Sequence, residues 1–214
     1  MTYPTGDLRD QLAHAGHAVV QAGLVVGSGG NLSARAPGAD ECWVTAAGTW
    51  LDRLDRGSFV RIRISDGAAL DSNVGVVPSS ELALHLETYR TRPDVNAVVH
   101  LHPQTVLLLD ALAEPIRLVT TDHAFYLRQV STIPFVPPGR PEVGTLAAAA
   151  CKDDVNCVVL SRHGCSVVAE SVELAHKRAF YLEEAARLTY HALALGRPPE
   201  PLPTDWLRTP GATA

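Results

Sequence analysis

Several things this sequence lacks narrow what it can be. No apolar run approaches the ~18 residues that a membrane span requires. Lysine and arginine number 18 against 23 aspartate and glutamate, a formal charge of -5, so there is no basic footprint for nucleic acid. Met1 to Asp10 carry no basic stretch followed by an apolar one, the pattern of a secretory signal. The four cysteines, Cys42, Cys151, Cys157 and Cys165, form no CxxC pair. They are too sparse for a disulfide scaffold, so buried, reduced thiols are expected and sulfur is not the expected metal ligand. These absences predict a soluble, cytoplasmic protein with neither a membrane nor a nucleic-acid partner.

What is present suits a folded domain. The 214 residues are 46% hydrophobic and 19% charged, enough to build a sizeable core and too apolar for disorder. One domain is expected over residues 1–206, with a flexible tail at 207–214. Leu8, Leu12, Ala15, Val19 and Ala22 recur at three- and four-residue steps and predict a helix over Asp7 to Leu24. Strand-like runs follow at Leu32–Arg35, Cys42–Thr45 and Phe59–Ile64, with turns at Asp66–Gly67 and Asp71–Gly75. Further helices are expected after Pro78-Ser79-Ser80, from Pro103 to Leu112, over Glu142–Cys151, and over Val172–Leu195, which Gly196 should end. Buried strands are expected at Val95–Leu101 and Val155–Leu160, and a short one at Ile133–Val136. Helices and strands alternate throughout, which makes the class α/β.

Asp94-Val95-Asn96-Ala97-Val98-Val99 and Asp154-Val155-Asn156-Cys157-Val158-Val159 are nearly the same phrase. They suggest two strands that enter the core alike, each delivering histidine at its C-terminal end. In a strand, residues i and i+2 share a face, so His100 and His102 project together across Leu101. Two imidazoles at that spacing can share one metal, and catalytic zinc commonly takes three protein ligands. His163 is the best third candidate, because Gly164 allows a sharp turn or a close backbone approach. Hydrogen-bonded histidines at strand ends explain the same spacing equally well. The other six, His14, His17, His85, His123, His176 and His191, read as surface or satisfied core residues.

Glu81 opens the helix that follows Ser79-Ser80. A carboxylate there is favoured by the helix dipole, so capping alone explains it. The serine hydroxyls and free N–H groups of a helix start also make an anion site, beside which a carboxylate can act as a general base. Gly27-Ser28-Gly29-Gly30-Asn31 is either another backbone cradle or a plain turn. It is no dinucleotide fingerprint, because Leu32 stands where GxGxxG needs its last glycine.

Taken in order, Gly30-Asn31-Leu32-Ser33, Thr45-Ala46-Ala47-Gly48, Ser79-Ser80-Glu81, His100-Leu101-His102-Pro103 and Arg162-His163-Gly164 resemble the class II aldolase/adducin head family. That group includes L-fuculose-1-phosphate aldolase and L-ribulose-5-phosphate 4-epimerase, and the resemblance spans about residues 7–197. It implies a single-domain three-layer α/β/α sandwich around a central, largely antiparallel mixed sheet. It also implies a homotetramer with active sites between subunits. His100, His102 and His163 would bind Zn2+, with Mn2+ or Co2+ as alternatives. Glu81 would be the fourth ligand of the empty site and the acid/base once substrate displaces it. Asn31, Gly48, Ser79 and Ser80 would hold the substrate phosphate, and Tyr126 would serve the aldehyde fragment.

The implied activity is aldol cleavage of a sugar phosphate or related hydroxy-ketone through an enediolate. A decarboxylase or epimerase on the same scaffold and a non-catalytic adducin-like domain are the alternatives. The last of these predicts loss of the metal ligands, which this chain retains. Two departures from the family pattern matter. Ala47 stands where the family usually has a hydroxyl, which puts a phosphorylated substrate in question. Glu81 and Phe125 stand where the epimerases resemble one another in carrying aspartate, which favours aldol cleavage or a related enediolate reaction.

Overall fold

The first helix, α1 (Leu8–Gln21), starts where Asp7 caps it: the Asp7 carboxylate accepts the Arg9 backbone N–H at 3.0 Å. Leu12, Ala15, Gly16 and Val19 form its buried stripe. Gly16 is packed so closely that a Cβ there would lie 2.5 Å from the Leu51 carbonyl oxygen. The structure is a computed structural model that describes residues 3–71, 75–152 and 155–208.

Among the described residues seven strands form one sheet: β1 (Asn31–Arg35), β2 (Glu41–Thr45), β3 (Phe59–Arg63), β4 (Ala97–Leu101), β5 (Val130–Ile133), β6 (Cys157–Leu160) and β7 (Gly164–Ala169). Their order is β3-β2-β1-β4-β7-β6-β5. Every junction is antiparallel except that of β5 with β6. The remaining helices are α2 (Leu82–Thr91), α3 (Gln104–Ala111), α4 (Thr121–Leu127), α5 (Pro141–Ala150) and α6 (Val172–Ala194).

Side chains alternate across the sheet, so each central strand feeds two cores. Leu32, Val99 and Val167 pack with α1, α3 and α6 on one side. Val98, Val158 and Val168 pack with α2 and α5 on the other. The result is the three-layer α/β/α sandwich with a mixed, largely antiparallel sheet. All four cysteines are free and buried. Burial pushes the Cys42 and Cys157 thiols up to about 12, which leaves them unreactive at neutral pH.

Two buried charges fix elements that matter for the site. Arg35, on β1, donates to the carbonyls of Val95, Arg92 and Pro93, so it holds the turn that leads into β4. Glu183, on α6, accepts the backbone N–H groups of Thr105 and Val106 and the Thr105 hydroxyl, and pairs with Arg187. Its carboxylate thereby satisfies the exposed N-terminal amides of α3, and this offsets the cost of burying it.

Three features differ from the sequence expectations. β5 ends at Ile133 rather than beginning there, because Pro134 has no N–H to continue the ladder with β6. β7 and α4 were not foreseen at all. Of the tail expected at 207–214, residues 207 and 208 belong to the 3-10 turn Asp205–Arg208, and residues 209–214 lie outside the described residues. The turn expected at Asp71–Gly75 also falls partly there, at residues 72–74.

Candidate metal centre and anion cleft

β7 pairs antiparallel with both β4 and β6, so β4 and β6 point the same way with β7 reversed between them. Their C-terminal ends therefore reach one edge of the sheet together. His100 is on β4, His102 lies one residue past its end, and His163 is in the turn that joins β6 to β7. That turn is tightly held. Arg162 adopts φ +60, its N–H donates to Asp110 Oδ2 at 2.8 Å, and the Ser161 hydroxyl donates to the same oxygen at 3.2 Å. Asp110 belongs to α3, so the helix after His102 anchors the turn that carries His163. Gly164 closes the arrangement: a Cβ there would lie 2.4 Å from Leu101 O and 2.6 Å from His102 Cδ2.

The three rings converge with Glu81. His100 Nε2 stands 3.0 Å from His102 Nε2 and 3.0 Å from Glu81 Oε2, and His163 Nε2 stands 3.1 Å from Glu81 Oε1. One ligand atom from each of the four residues fits within 4.8 Å of the others. Four ligands at the ~2.0–2.1 Å bond lengths of tetrahedral zinc sit roughly 3.3 Å apart, so the spacing suits one ion.

The protonation pattern points the same way. His100 Nδ1 lies 3.0 Å from the Cys165 carbonyl oxygen, which only accepts, so Nδ1 carries the proton and Nε2 offers a lone pair. That lone pair faces an imidazole nitrogen and a carboxylate. Such a set of acceptors is mutually repulsive unless a cation sits among them. Burial, reinforced by the neighbouring His100 and His163 rings, pushes His102 down to about 4, so it stays neutral and available as a ligand. Burial works to raise the Glu81 carboxyl, but its contacts with the His100 and His163 rings outweigh it and hold the group well below the usual carboxylate range, so an ionised carboxylate faces the cluster. His163 Nδ1 and Glu81 Oε1 are buried without a hydrogen-bond partner. The donor set of three imidazoles and one carboxylate fits a divalent metal, and zinc among them.

Glu81 sits at the N-cap position of α2, yet its side chain makes no capping bond. Just before the helix, the Ser79 hydroxyl accepts the Glu81 backbone N–H at 3.2 Å. The carboxylate instead turns to the histidines and accepts from Asn31 Nδ2 at 2.9 Å. Capping therefore accounts for the position of Glu81 in the chain but not for where its carboxylate goes.

A cleft of about 450 Å3 opens beside the cluster and is lined by Asn31, Gly48, Ser79 and Ser80. Ser28 and Thr49 also line it, although neither was singled out from the sequence. Their signal was adjacency, Ser28 inside the glycine-rich run and Thr49 directly after Gly48. The Thr49 hydroxyl donates to Ala46 O at 2.8 Å. Ala47 offers no hydroxyl, and its N–H is tied to Val77 O at 2.9 Å. Tyr126 does not line this cleft. It lies on α4, stacked on Tyr181 of α6 with ring centroids 4.6 Å apart. The six remaining histidines lie on α1, α2, α4 and α6, outside the cluster.

Comparison with known proteins follows from this geometry. The family model described as Class II Aldolase and Adducin N-terminal domain matches residues 10–190. An L-fuculose phosphate aldolase of Methanococcus vannielii is 28% identical over 181 residues, covering 85% of this chain and 94% of the relative. A 3-oxo-tetronate 4-phosphate decarboxylase of Cupriavidus necator is 32% identical over 186 residues, 85% of this chain and 82% of the relative. A solved structure of an L-fuculose 1-phosphate aldolase superposes with a TM-score of 0.81 at 26% identity, covering 94% of this chain and 92% of that one.

Proposed function

This chain belongs to the class II aldolase and adducin N-terminal domain family, and on that footing we propose that it is a metal-dependent carbon–carbon lyase. The reaction is reversible aldol cleavage of a sugar phosphate or related hydroxy-ketone through an enediolate. The observation that carries the proposal is the convergence of His100, His102, His163 and Glu81 on one point beside an open cleft. Zn2+, or Mn2+ or Co2+ in its place, held by the three histidines would supply Lewis-acid charge where the substrate oxygens become negative.

The chain's own groups take the remaining roles. Glu81 would complete the ligand set with the three histidines and, once substrate takes its place, would move the proton at carbon, for which a carboxylate at the cleft wall is well placed. Asn31, Gly48, Ser79 and Ser80 hold the substrate's anionic end. Ala47 contributes neither a hydroxyl nor its tied N–H, so this anion site has fewer donors than the usual family pattern. Tyr126 serves the aldehyde fragment only if it reaches the cleft of another copy, since its ring is stacked on Tyr181 of its own chain. That requirement agrees with a homotetramer whose sites lie between subunits. Residues 1–206 act as one domain, and the protein works in the cytoplasm. Among the described residues no helix is long and apolar enough to cross a membrane.

Decarboxylation of a 3-oxo acid phosphate is the second reading. It is favoured by the 32% identical decarboxylase relative. A substrate panel separates the two. Ketose phosphates, dihydroxyacetone phosphate with aldehydes, its unphosphorylated analogue, pyruvate and 3-oxo acids are assayed with the metal-loaded protein. Turnover of a ketose phosphate supports the aldolase, and carbon dioxide release from a 3-oxo acid alone replaces it with the decarboxylase. Glu81→Gln should keep the metal yet stop solvent exchange of the substrate's α-proton; persisting exchange removes Glu81 from the chemistry.

A further inference from the structure

Behind the cleft wall runs a line of buried polar groups for which the metal centre has no direct use. Tyr89 Oη lies 2.7 Å from Ser33 Oγ, and Ser33 Oγ lies 2.6 Å from His85 Nδ1. His85 Nε2 is hydrogen-bonded to Asn31 Oδ1, and Asn31 Nδ2 lies 2.9 Å from Glu81 Oε2. Ser33 and His85 are fully buried and Tyr89 is 2% exposed. The line crosses from the core under α2 to the wall of the cleft.

Chemistry fixes its direction. The Glu81 carboxylate only accepts, so the atom of Asn31 facing it must be the amide nitrogen. The other end of that amide is then oxygen, and the His85 nitrogen against it must carry a proton. A neutral imidazole has one N–H, so Nδ1 is bare and accepts from the Ser33 hydroxyl. Ser33 Oγ has then spent its only proton and accepts from Tyr89. Every link has one donor and one acceptor, and reversing any of them sets two donors or two lone pairs face to face. Burial, with the nearby His100 ring, pushes His85 down to about 3, so the ring is neutral across the working range.

We propose that His85 is a positioning residue that locks the Asn31 amide with its NH2 group toward Glu81 and the cleft. An amide turned the other way would present oxygen to Glu81 and to an anionic substrate. Among the described residues two groups decide its orientation, Glu81 on one side and His85 on the other. Glu81 is the one that leaves its resting place when substrate binds, on the function proposed above. His85 then holds the orientation by itself, backed by Ser33 and Tyr89. This inference rests on that function for its consequence in anion binding, but the orientation itself does not depend on the reaction.

The test compares His85→Gln with His85→Asn in the metal-loaded protein. The glutamine amide reaches the place of Nε2 and can still donate to Asn31, whereas the shorter asparagine reaches only the place of Nδ1. Nitrogen NMR of histidine-labelled wild type should show one ring, lost in both variants, with Nε2–H and an unprotonated Nδ1 that persists to pH 5. Inorganic phosphate should bind His85→Gln within about threefold of wild type, and His85→Asn roughly tenfold or more weakly, the size of a lost hydrogen bond to a charged partner. Unfolding midpoints of the two variants serve as the control. An Nδ1–H tautomer at His85 overturns the proposal. So does equal weakening of phosphate by both variants with equal loss of stability, which would make His85 a core residue and nothing more. If wild type binds no phosphate, the anion site proposed above falls, and the tautomer still decides how Asn31 is held.

Discussion

Replacing Gly164 by alanine tests whether the metal centre depends on the close approach of β4 and β7. The new Cβ would lie 2.4 Å from Leu101 O, 2.6 Å from His102 Cδ2 and 3.1 Å from His100 Cε1. Ordinary carbon–oxygen contacts begin at about 3.3 Å, so the strand end must give by roughly 1 Å. Metal–ligand distances tolerate only about 0.2 Å. Gly164→Ala should therefore cost metal affinity as well as fold stability. Overpacking of this kind destabilises by about 1–3 kcal/mol, a fall in unfolding midpoint of roughly 2–12 °C for a chain of this size. The loss of metal affinity should be at least tenfold to a hundredfold, the usual effect of disturbing groups that orient metal ligands. Gly16→Ala is the control, since its Cβ would meet Leu51 O at 2.5 Å and Leu54 Cδ1 at 2.9 Å, away from the histidines. Both variants are titrated with zinc against a chromophoric chelator and melted in parallel. If Gly164→Ala binds zinc within twofold of wild type, or if Gly16→Ala loses as much, the geometric argument for the site is wrong.

Three further outcomes are expected. Metal analysis of the purified protein should find roughly one divalent ion per chain, lost in His100→Ala; a fully active metal-free enzyme refutes the proposed chemistry. Asp110→Ala releases Arg162 N–H and Ser161 Oγ and should weaken metal binding about tenfold through His163; unchanged affinity would show that the turn holds itself. His176 is pushed down to about 4 by burial and by the nearby His14, against 6.5 for the unfolded chain. The unfolded state takes the proton first, so stability is complete above pH 6.5 and declines as pH falls toward 4. The slope should be less than the ~1.4 kcal/mol per pH unit of a full proton, because the ring keeps some solvent access. Urea midpoints at pH 7, 6 and 5 should fall less steeply for His176→Phe, and parallel curves would contradict the burial argument.

The pairing of His100 with His102 was legible because strand alternation is a rigid rule: the two share a face whatever surrounds them. Their joining with His163 was legible only as a parallel between two similar phrases, since the strand that binds β4 to β6 was not foreseen. β7 is buried along all six residues and begins Gly164-Cys165-Ser166, so it shows neither alternation nor a run of bulky β-formers. α4 is seven residues long, too short for a helical period to declare itself. Glu81 was placed correctly at a helix start, but the spacing alone could not show that its carboxylate makes no capping bond and turns to the histidines instead. His85 looked like an ordinary core histidine, and its neighbours Asn31, Ser33 and Tyr89 come from β1 and a later turn of α2. Such a line of groups exists only once β1 lies against α2.

The strand order also sets a sequence of events during synthesis. Strands β1 to β4 are a contiguous block, β3-β2-β1-β4, built wholly from residues up to 101, so it needs nothing that is synthesised later. In that block β4 is an open edge, and its apolar Val98 and Val99 lie beside unpaired backbone groups until β7 is made. A nascent chain at this stage is therefore exposed to pairing with its neighbours on the polysome. The arrival of β7 closes that edge and, in the same step, brings His163 to the two histidines already waiting at the end of β4. Metal binding at the proposed centre would thus report that this open edge of the sheet has been closed.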